Sequence, residues 1–341
     1  MRQLYRNWVR PAFFQFGPER AHHLAMGGLH VGLRSRLARS AARAVLQLDH
    51  PMLQQRLWNI PFAHPVGLAA GFDKNAEAVE ELAALGFSHV EIGTVTAWRQ
   101  PGNPRPRCFR LPHDHSVINR MGFNNQGADA VAARLAAAYD PRGVGEQRRP
   151  GCVLGINVGK STARPLDQAL EDHAYTLERL APMADYVVIN VSCPNVQGVS
   201  GLQAADSLRP LLEGTREQMR RLVPGTPLLV KLGPDTAERL LDASVDVILG
   251  TGCDGVLCTN TSARRAGLRT PAARVAAFGQ GGLSGAAIRA RSTGVLARVA
   301  RRVDGRVPVV GIGGIDSPEA AWEKVVHGAD LVQIYTGFIY A

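Results

Sequence analysis

Short runs of apolar residues, many of them β-branched, alternate along the chain with stretches of helical periodicity. Such alternation is typical of a parallel sheet built from βα units, in which helices cover both faces of the strands. Eight runs recur, at residues 65–72, 89–95, 153–159, 186–192, 227–233, 255–261, 307–314 and 331–337. Eight consecutive βα units predict an α/β fold, a closed (β/α)8 or TIM barrel, as a catalytic domain over residues 46–341.

Polar residues cluster where these apolar runs end. Asn157 and Lys231 lie at the ends of two runs, and the segment 190–195 holds two further asparagines. The carboxyl ends of barrel strands meet at one mouth, which is where the active site of such a barrel lies. We therefore expect a functional site at that mouth. The long connections 96–129 and 193–206 leave the same end and are expected to act as lids or binding loops.

Residues 1–45 precede the first run and have a different pattern. Trp8 and three phenylalanines are interspersed with arginine, while Pro11 and Pro18 divide the segment into two short predicted helices. No apolar stretch approaches the ~20 residues needed to cross a bilayer. Helices rich in aromatic residues and arginine are typical of segments at a membrane interface. We predict such a membrane-facing pair of helices, with a helical cap packed on the barrel as the alternative.

The bulk composition fits a globular enzyme domain with this extension. Apolar residues make up 45% of the 341 and charged residues 20%, as in ordinary globular proteins. After residue 45 the basic residues behind the net charge of +10 are scattered and not interleaved with aromatics, so nucleic-acid binding is not expected. The five cysteines contain no C-x-x-C pair and no export signal is evident. We expect a cytoplasmic setting and no metal site.

Lysine is rare in this chain. Only four of the 39 basic residues are lysines, at positions 74, 160, 231 and 324. A chain that prefers arginine is expected to keep lysine where a compact ammonium has its own chemistry. Lys231 is expected inside the barrel mouth, where its charge stabilises a reduced cofactor, with a buried salt bridge as the alternative. Lys324 lies in a helical pattern without special neighbours and is interpreted as an ordinary surface residue.

Two groups of glycines lie before and at the end of the seventh run, namely Gly281, Gly282 and Gly285, then Gly311, Gly313 and Gly314. In barrels, backbone N–H groups from the loops after strands seven and eight often hold a phosphate, and glycine permits that close approach. Tight turns require the same residue type. A phosphate site beside the barrel mouth predicts flavin mononucleotide (FMN), one per chain, as the cofactor. The glycine fingerprint of a dinucleotide site is absent.

Asparagines form a second set of candidate ligands, at positions 119, 124, 157, 190, 195 and 260. Neutral amides suit a planar imide or carboxylate substrate better than a sugar phosphate. Cys193 follows the fourth run, between Ser192 and Pro194. Its thiolate can act as a general base, and the alternative is a small buried residue that only packs. We assign Cys193 to catalysis and the other four cysteines to packing.

An ordered series of motifs spans nearly the whole chain. It reads AAGFDK (69–74), EIGTVT (91–96), GNPRPR (102–107), FRL (109–111), INRMGFNN (118–125), GINVGK (155–160), NVSCPN (190–195), VKLGPD (230–235), TNT (259–261), GGLSG (281–285), GIGGIDS (311–317) and VQIYTGFIY (332–340). In this series the chain resembles the dihydroorotate dehydrogenases, specifically their membrane-associated, quinone-reducing class (class 2). The resemblance implies oxidation of (S)-dihydroorotate to orotate with FMN as hydride acceptor and quinone as final acceptor, in de novo pyrimidine (UMP) biosynthesis.

The resemblance also implies site residues. Cys193 would remove a proton from carbon 5 while carbon 6 gives hydride to the flavin. FMN would be bound by Ala70, Gly71, Lys74, Thr94, Asn157, Asn190, Lys231, Thr259, Gly285, Gly314, Tyr335 and Thr336. Dihydroorotate or orotate would be bound by Lys74, Asn119, Arg120, Met121, Gly122, Phe123, Asn190, Asn195, Asn260 and Thr261. His22, Arg110 and Tyr335 would line a quinone tunnel formed with the helices of residues 1–45, on a protein attached peripherally to the cytoplasmic face of the cell membrane.

Three features depart from the quinone-reducing class. The catalytic base of that class is ordinarily serine, whereas this chain has cysteine at position 193, as the soluble class does. The loop that follows, VQGVSG (196–201), also differs from that of the quinone-reducing class. The chain is further expected to lack the helix that follows the last strand in the family. The alternatives are therefore the same oxidation with fumarate or another soluble acceptor, or a non-catalytic flavin-binding paralogue.

Overall fold

The computed structural model describes residues 2–139, 151–192 and 205–341. Within these ranges eight strands form a parallel barrel: β1 Val66–Leu68, β2 His89–Val95, β3 Val153–Val158, β4 Tyr186–Asn190, β5 Leu228–Leu232, β6 Gly255–Cys258, β7 Val309–Ile312 and β8 Leu331–Ile334. Neighbours in sequence are neighbours in space, and the pairing of β8 with β1 closes the ring. The predicted TIM barrel is confirmed, and every predicted strand is found within its predicted range.

Helices cover the outside of the barrel. They span Val79–Ala84, Ala128–Ala138, Ala169–Leu180, Ala205–Leu222, Glu238–Gly250, Arg289–Val303 and Pro318–Val326. Two shorter helices, Ala272–Ala277 and Thr336–Tyr340, pack instead near the strand Gly282–Gly285. Single 3-10 turns lie at Pro51–Leu53, Pro112–Asp114, Leu166–Gln168, Ala181–Met183 and Ala286–Ile288. Leucines at helical spacing, such as Leu177 and Leu180, are fully buried against the strands. This apolar face is what the helical periodicity in the sequence encodes.

Alternate residues of each strand face opposite sides of the sheet, which gives the barrel two cores. Along β4, Val187 and Ile189 pack outward against the helices. Tyr186 and Val188 belong instead to a separate cluster inside the barrel, together with Leu229. Both sides of the strands are therefore dry, as the near-continuous apolar runs predict.

A β-hairpin closes the amino-terminal end of the barrel. Its strands Gln55–Leu57 and Ile60–Phe62 pair antiparallel, and the Trp58 indole N–H donates to the Asp254 carbonyl at 2.7 Å. Phe62 is buried and meets the His89 ring edge-on at 5.5 Å. The hairpin therefore covers the end of the barrel opposite the carboxyl ends of the strands.

The long connection 96–129 carries strands of its own. Cys108–Leu111 and Ser116–Asn119 form an antiparallel pair, and Gly282–Gly285 adds a third strand beside Ser116–Asn119. The first glycine group of the predicted phosphate loop is thus largely a strand, in register with the candidate substrate residue Asn119. Gly281 and Gly285, with φ of 154° and 97°, have backbone conformations that favour glycine.

The amino-terminal segment forms three helical stretches, so the prediction of two helices is wrong in number. The first runs through Arg2–Leu4, a π-helical turn at Tyr5–Val9 and Arg10–Phe14, and Pro18–Gly32 and Arg36–Leu46 follow. Pro11 does not end the first stretch because it is the second residue of an α-helical segment, where no N–H donor is needed. Among the helices of the described residues, none has the length and apolar character of a membrane span. The domain division at residue 45 stays a prediction.

Candidate active site at the barrel mouth

A buried carboxylate lies at the centre of the polar groups inside the barrel. Glu91 on β2 is 0% exposed and accepts hydrogen bonds from the Asn157 amide at 2.8 Å and the Gln333 amide at 2.7 Å. The Lys231 ammonium approaches the same carboxylate at 3.9 Å, and the Tyr186 hydroxyl lies 3.5 Å from it. Donors from β3, β4, β5 and β8 therefore converge on one buried charge, which compensates for its removal from water.

A chain of amides and hydroxyls continues from this carboxylate toward the mouth. The Thr94 hydroxyl donates to the Asn157 side-chain oxygen at 2.6 Å, and the Asn190 amide donates to the Thr94 hydroxyl at 3.1 Å. The Asn260 amide in turn donates to the Asn190 oxygen at 3.1 Å. Thr261 joins through its backbone N–H, which donates to Asn260. We call Glu91, Lys231, Thr94, Asn157, Asn190 and Asn260 the mouth cluster.

Five residues of the mouth cluster were predicted from the sequence, and the sixth, Glu91, was not. The buried salt bridge left open for Lys231 is present, and its partner Glu91 comes from a strand on another part of the barrel. The available signal was an acidic residue inside the apolar run 89–95, because a carboxylate in a buried strand needs a partner. Thr259, next to Asn260, is also buried.

A second set of groups lies where β7 and β8 end. Gly313 and Gly314 have φ values of 106° and 73°, and their N–H groups donate to no acceptor among the residues that the structure describes. The Thr336 hydroxyl donates to the Ser284 hydroxyl at 2.8 Å. A Cβ on Gly314 would lie 2.4 Å from the Arg289 Cα, so this position requires glycine. We call Gly313, Gly314, Ser284 and Thr336 the anion cradle. The Ser284 hydroxyl already donates to the Val117 carbonyl at 3.3 Å, so the unused donors are the two backbone N–H groups, and such groups bind phosphate.

Residues after β1 meet the end of β8. Gly71, which follows Ala70, donates its N–H to the Gly93 carbonyl at 2.7 Å. The Tyr335 hydroxyl lies 3.5 Å from the Gly71 carbonyl. Lys74, a few residues on, donates a short hydrogen bond to the Asn124 side-chain oxygen. These predicted ligands therefore border the mouth beside the cluster.

The candidate substrate loop is held by its own contacts. Asn119 lies 3.5 Å from the Gly282 carbonyl, and the Arg120 guanidinium donates to the carbonyls of Phe278 and Pro106. Between them and Phe123, Met121 has a half-buried side chain and Gly122 has φ of 70°. Phe123 is buried at φ of 51°. The Arg120 side chain is thus engaged in bracing this loop, and its predicted contact with substrate stays a prediction.

The predicted quinone residues lie between the barrel and the amino-terminal helices. The His22 ring meets Phe72 edge-on at 5.0 Å, and Phe72 meets Tyr335 at 5.6 Å. Burial, with smaller contributions from His23 and Lys74, lowers the pKa of His22 to about 4. Arg110 lies over the Phe14 ring at 4.4 Å. Phe72, missed by the sequence interpretation, therefore joins His22 to Tyr335 by ring contacts.

Cys193 and Asn195 lie outside the described residues, and their roles stay predictions. Burial raises the pKa of Cys108 and Cys253 to about 11, and that of Cys152 and Cys258 to about 12. These four thiols are protonated at neutral pH, as packing residues would be. In the described part of the chain, no three His, Cys, Asp or Glu side chains are grouped to hold a metal ion.

The interpretation of Lys324 as a surface residue is wrong. Its side chain is 0% exposed, and its ammonium donates to the hydroxyls of Ser292 and Thr293, both at 2.7 Å. The helix Pro318–Val326 packs against β8 and the helix Arg289–Val303. The short helical pattern around Lys324 gave no indication of which of its residues would face that neighbouring helix.

The fold is a (β/α)8 barrel, and the described residues at its mouth combine buried amides, a buried lysine–glutamate pair and backbone N–H groups without an acceptor. The family model described as dihydroorotate dehydrogenase matches residues 52–341. Over 99% of this chain and 90% of each relative, the chain is 46% identical to a "dihydroorotate dehydrogenase (quinone)" of Streptomyces coelicolor and 48% identical to one of Gloeobacter violaceus. A solved structure of DHODH from Eimeria tenella in complex with ferulenol has a TM-score of 0.82 at 36% identity, covering 95% of this chain and 87% of that one.

The chain belongs to the dihydroorotate dehydrogenase family. The predicted resemblance, including the quinone-reducing class, is confirmed because the curated relatives carry that description. Flavin dependence in general follows from membership in this family.

Proposed function

We propose that this chain oxidises (S)-dihydroorotate to orotate in de novo pyrimidine biosynthesis, with one FMN per chain and quinone as the final electron acceptor. The observation that carries the proposal is the mouth cluster beside the anion cradle. A cation, three amides and a threonine hydroxyl meet at the carboxyl ends of the strands, next to backbone N–H groups that have no acceptor among the described residues. This arrangement fits the catalytic end of a barrel.

The residues present fit FMN in their donor chemistry. The anion cradle offers backbone N–H donors for a phosphate, beside two hydroxyls that would have to rotate to donate to it. Lys231 and the amides of Asn157 and Asn190 offer charge and hydrogen bonds to a polar heteroaromatic ring. Bound FMN would supply a two-electron hydride acceptor that quinone can reoxidise. Lys231 would hold positive charge beside that ring, and Glu91 would fix the position of its ammonium.

The remaining steps belong to the protein's own side chains. Asn190, Asn260 and Lys74 would orient the ring and carboxylate of dihydroorotate at the mouth. Cys193 would take the proton from carbon 5, so that a carbon–carbon double bond forms as hydride leaves carbon 6. The proton stays on the Cys193 sulfur until it passes to solvent. Loss of one proton and one hydride converts dihydroorotate into orotate.

Anaerobic addition of dihydroorotate to the flavin-loaded protein tests this proposal. We expect the flavin absorbance to bleach and orotate to form in a one-to-one ratio with flavin. A ubiquinone analogue should then restore the oxidised spectrum. Orotate that perturbs the flavin spectrum without any bleaching by dihydroorotate would identify a non-catalytic flavin-binding paralogue instead.

The ring contacts of His22 and Phe72 favour quinone over a soluble acceptor. They place an aromatic, largely uncharged surface between the amino-terminal helices and Tyr335, which suits an apolar ring better than a dicarboxylate such as fumarate. Stopped-flow reoxidation with a ubiquinone analogue and with fumarate separates the two acceptors. Faster reoxidation by fumarate would support the soluble-class alternative that Cys193 suggests.

We further propose that residues 1–45 attach the protein peripherally to the cytoplasmic face of the cell membrane. On the helix Arg36–Leu46, Arg39 and Arg43 face the barrel and pair with Glu80 at 3.9 and 3.1 Å. Leu37 and Val45 of the same helix are exposed. A helix that pairs two of its three arginines with the barrel and turns Leu37 and Val45 outward presents these apolar side chains to a bilayer surface.

A further inference from the structure

Lys324 is a buried cation in an unusual place. Its ammonium contacts the first turn of the helix Arg289–Val303, where it bonds Ser292 and Thr293 and lies 3.4 Å from the Arg289 carbonyl. Among the described residues, no carboxylate forms an ion pair with it. The amino-terminal end of a helix is itself positive, so the ammonium and the helix dipole repel each other. An anion held nearby would relieve both the burial cost and this repulsion.

The hydrogen bonds of Ser292 connect this cation to the anion cradle. The Ser292 hydroxyl accepts from Lys324 and lies 2.8 Å from the Gly313 carbonyl, to which it can donate. In a trans peptide the carbonyl and the following N–H point in opposite directions. Fixing the Gly313 carbonyl toward Ser292 therefore directs the Gly314 N–H to the other side.

Arg289 holds the next carbonyl, that of Gly314, in the same way. Its guanidinium donates to the Gly314 carbonyl at 2.9 Å and pairs with Asp316. Two consecutive carbonyls are thus held against the helix that begins at Arg289, and the N–H groups that follow them face away from it. Burial lowers the pKa of Lys324 to about 8, so the group still carries substantial charge at neutral pH.

We propose that Lys324 is a positioning residue for the FMN phosphate: through Ser292 it orients the Gly313–Gly314 peptide of the anion cradle, and its buried charge lies behind that peptide. The inference rests on the proposed FMN function and goes beyond it by naming a residue that does not touch the ligand. The inference predicts that replacing Lys324 weakens binding of the phosphate group of FMN and leaves binding of the flavin ring unchanged.

Riboflavin, which is FMN without its phosphate, separates these two contributions. We would measure the dissociation constants of both flavins by quenching of flavin fluorescence on the full chain. The parent should prefer FMN, and Lys324→Met should reduce that preference about tenfold while its riboflavin affinity stays within about twofold. Lys160→Met is the matched control. Lys160 is also buried and bonds the carbonyls of Ser161 and Arg164, so the preference should stay at the parent value.

Ser292→Ala tests the same connection without removing a charge. It should reduce the FMN preference, and the double variant Lys324→Met/Ser292→Ala should be no worse than Lys324→Met, because the two groups act in series. If Lys324→Met does not fold, an unchanged preference in Ser292→Ala overturns the inference. Equal losses of FMN and riboflavin affinity in Lys324→Met also overturn it, since they indicate only structural support. A parent that binds riboflavin as tightly as FMN would contradict the proposed phosphate site itself.

Discussion

At the barrel mouth, polar side chains are buried and bonded to one another, whereas on the amino-terminal helices apolar side chains are exposed. Glu91 has no solvent exposure, while Trp8 is 73% and Leu37 80% exposed. A buried charge is stable only as long as its partners remain, so each member of the mouth cluster depends on the others. An exposed apolar residue costs the fold little when it is replaced. Replacing one side chain should therefore lower the free energy of unfolding strongly in the mouth cluster and only slightly on the amino-terminal helices.

Replacing the proposed base should give the largest effect. Cys193→Ala removes the group that takes the proton from carbon 5, and we expect anaerobic flavin reduction by dihydroorotate to slow by at least about 10²-fold, with FMN still bound. Cys253→Ala is the matched control, because burial raises the pKa of that thiol to about 11. Equal reduction rates in Cys193→Ala and the parent would remove Cys193 from the mechanism.

Neutralising the buried carboxylate should give the next largest effect, on stability. Glu91→Gln leaves the Lys231 ammonium buried without its counter-charge, which should cost about 3–5 kcal/mol in the free energy of unfolding. Glu80→Gln breaks a half-exposed pair with Arg43 on the amino-terminal helices and should cost under about 1 kcal/mol. Urea denaturation at saturating FMN measures both.

A double variant sharpens this comparison. Glu91→Gln/Lys231→Met removes both buried charges and should recover part of the lost stability, because the buried cation that lost the Glu91 carboxylate is gone as well. If the double variant is as unstable as the sum of the two single changes, the charges are not coupled and the mouth cluster does not act as a unit.

Acid should weaken the contact between the two regions through His22. Its pKa in the folded protein is lowered to about 4, so the unfolded chain binds more protons between about pH 6.5 and pH 4. The contribution of His22 to stability is present above pH 6.5 and is lost as the pH falls through this window, by about 2 kcal/mol at pH 5. His22→Gln should lose correspondingly less stability between pH 7.5 and pH 5. His113 is exposed, so His113→Gln should lose as much stability as the parent over this pH range. Identical pH profiles of stability for His22→Gln and the parent would show that His22 is not responsible for the loss.

Removing an exposed tryptophan should give the smallest effect on the protein itself. Trp8→Ala should change the free energy of unfolding by under about 0.5 kcal/mol and leave flavin reduction unchanged. Its affinity for vesicles of phosphatidylcholine and phosphatidylglycerol should fall roughly tenfold. Trp322→Ala removes a comparably exposed tryptophan from a barrel helix and should leave vesicle binding intact. Equal vesicle affinities in Trp8→Ala and the parent would contradict attachment through residues 1–45.

The pattern of apolar and polar residues was sufficient to predict the barrel and the clustering of polar side chains at its mouth. The eight strands were predictable because a strand buried on both sides must be apolar along its whole length, which is a local property of the sequence. Thr94, Asn157, Asn190 and Asn260 were predictable as neighbours, since parallel strands bring their carboxyl ends to one side. The number of amino-terminal helices was not predictable, because it depends on a π-helical turn before Pro11 and on the place of Pro11 at the start of the α-helical segment that follows.

The partners of buried charges were decided by the tertiary structure. Glu91 and Lys231 lie on strands that are not adjacent, and only closure of the barrel brings their side chains together in its interior. Lys324 resembled a surface lysine because the residues that bond it, Ser292 and Thr293, belong to another helix. Phe72 likewise became a bridge between His22 and Tyr335 only when the amino-terminal helices docked. Periodicity is written into consecutive residues, whereas the pairing of distant side chains depends on how complete elements pack.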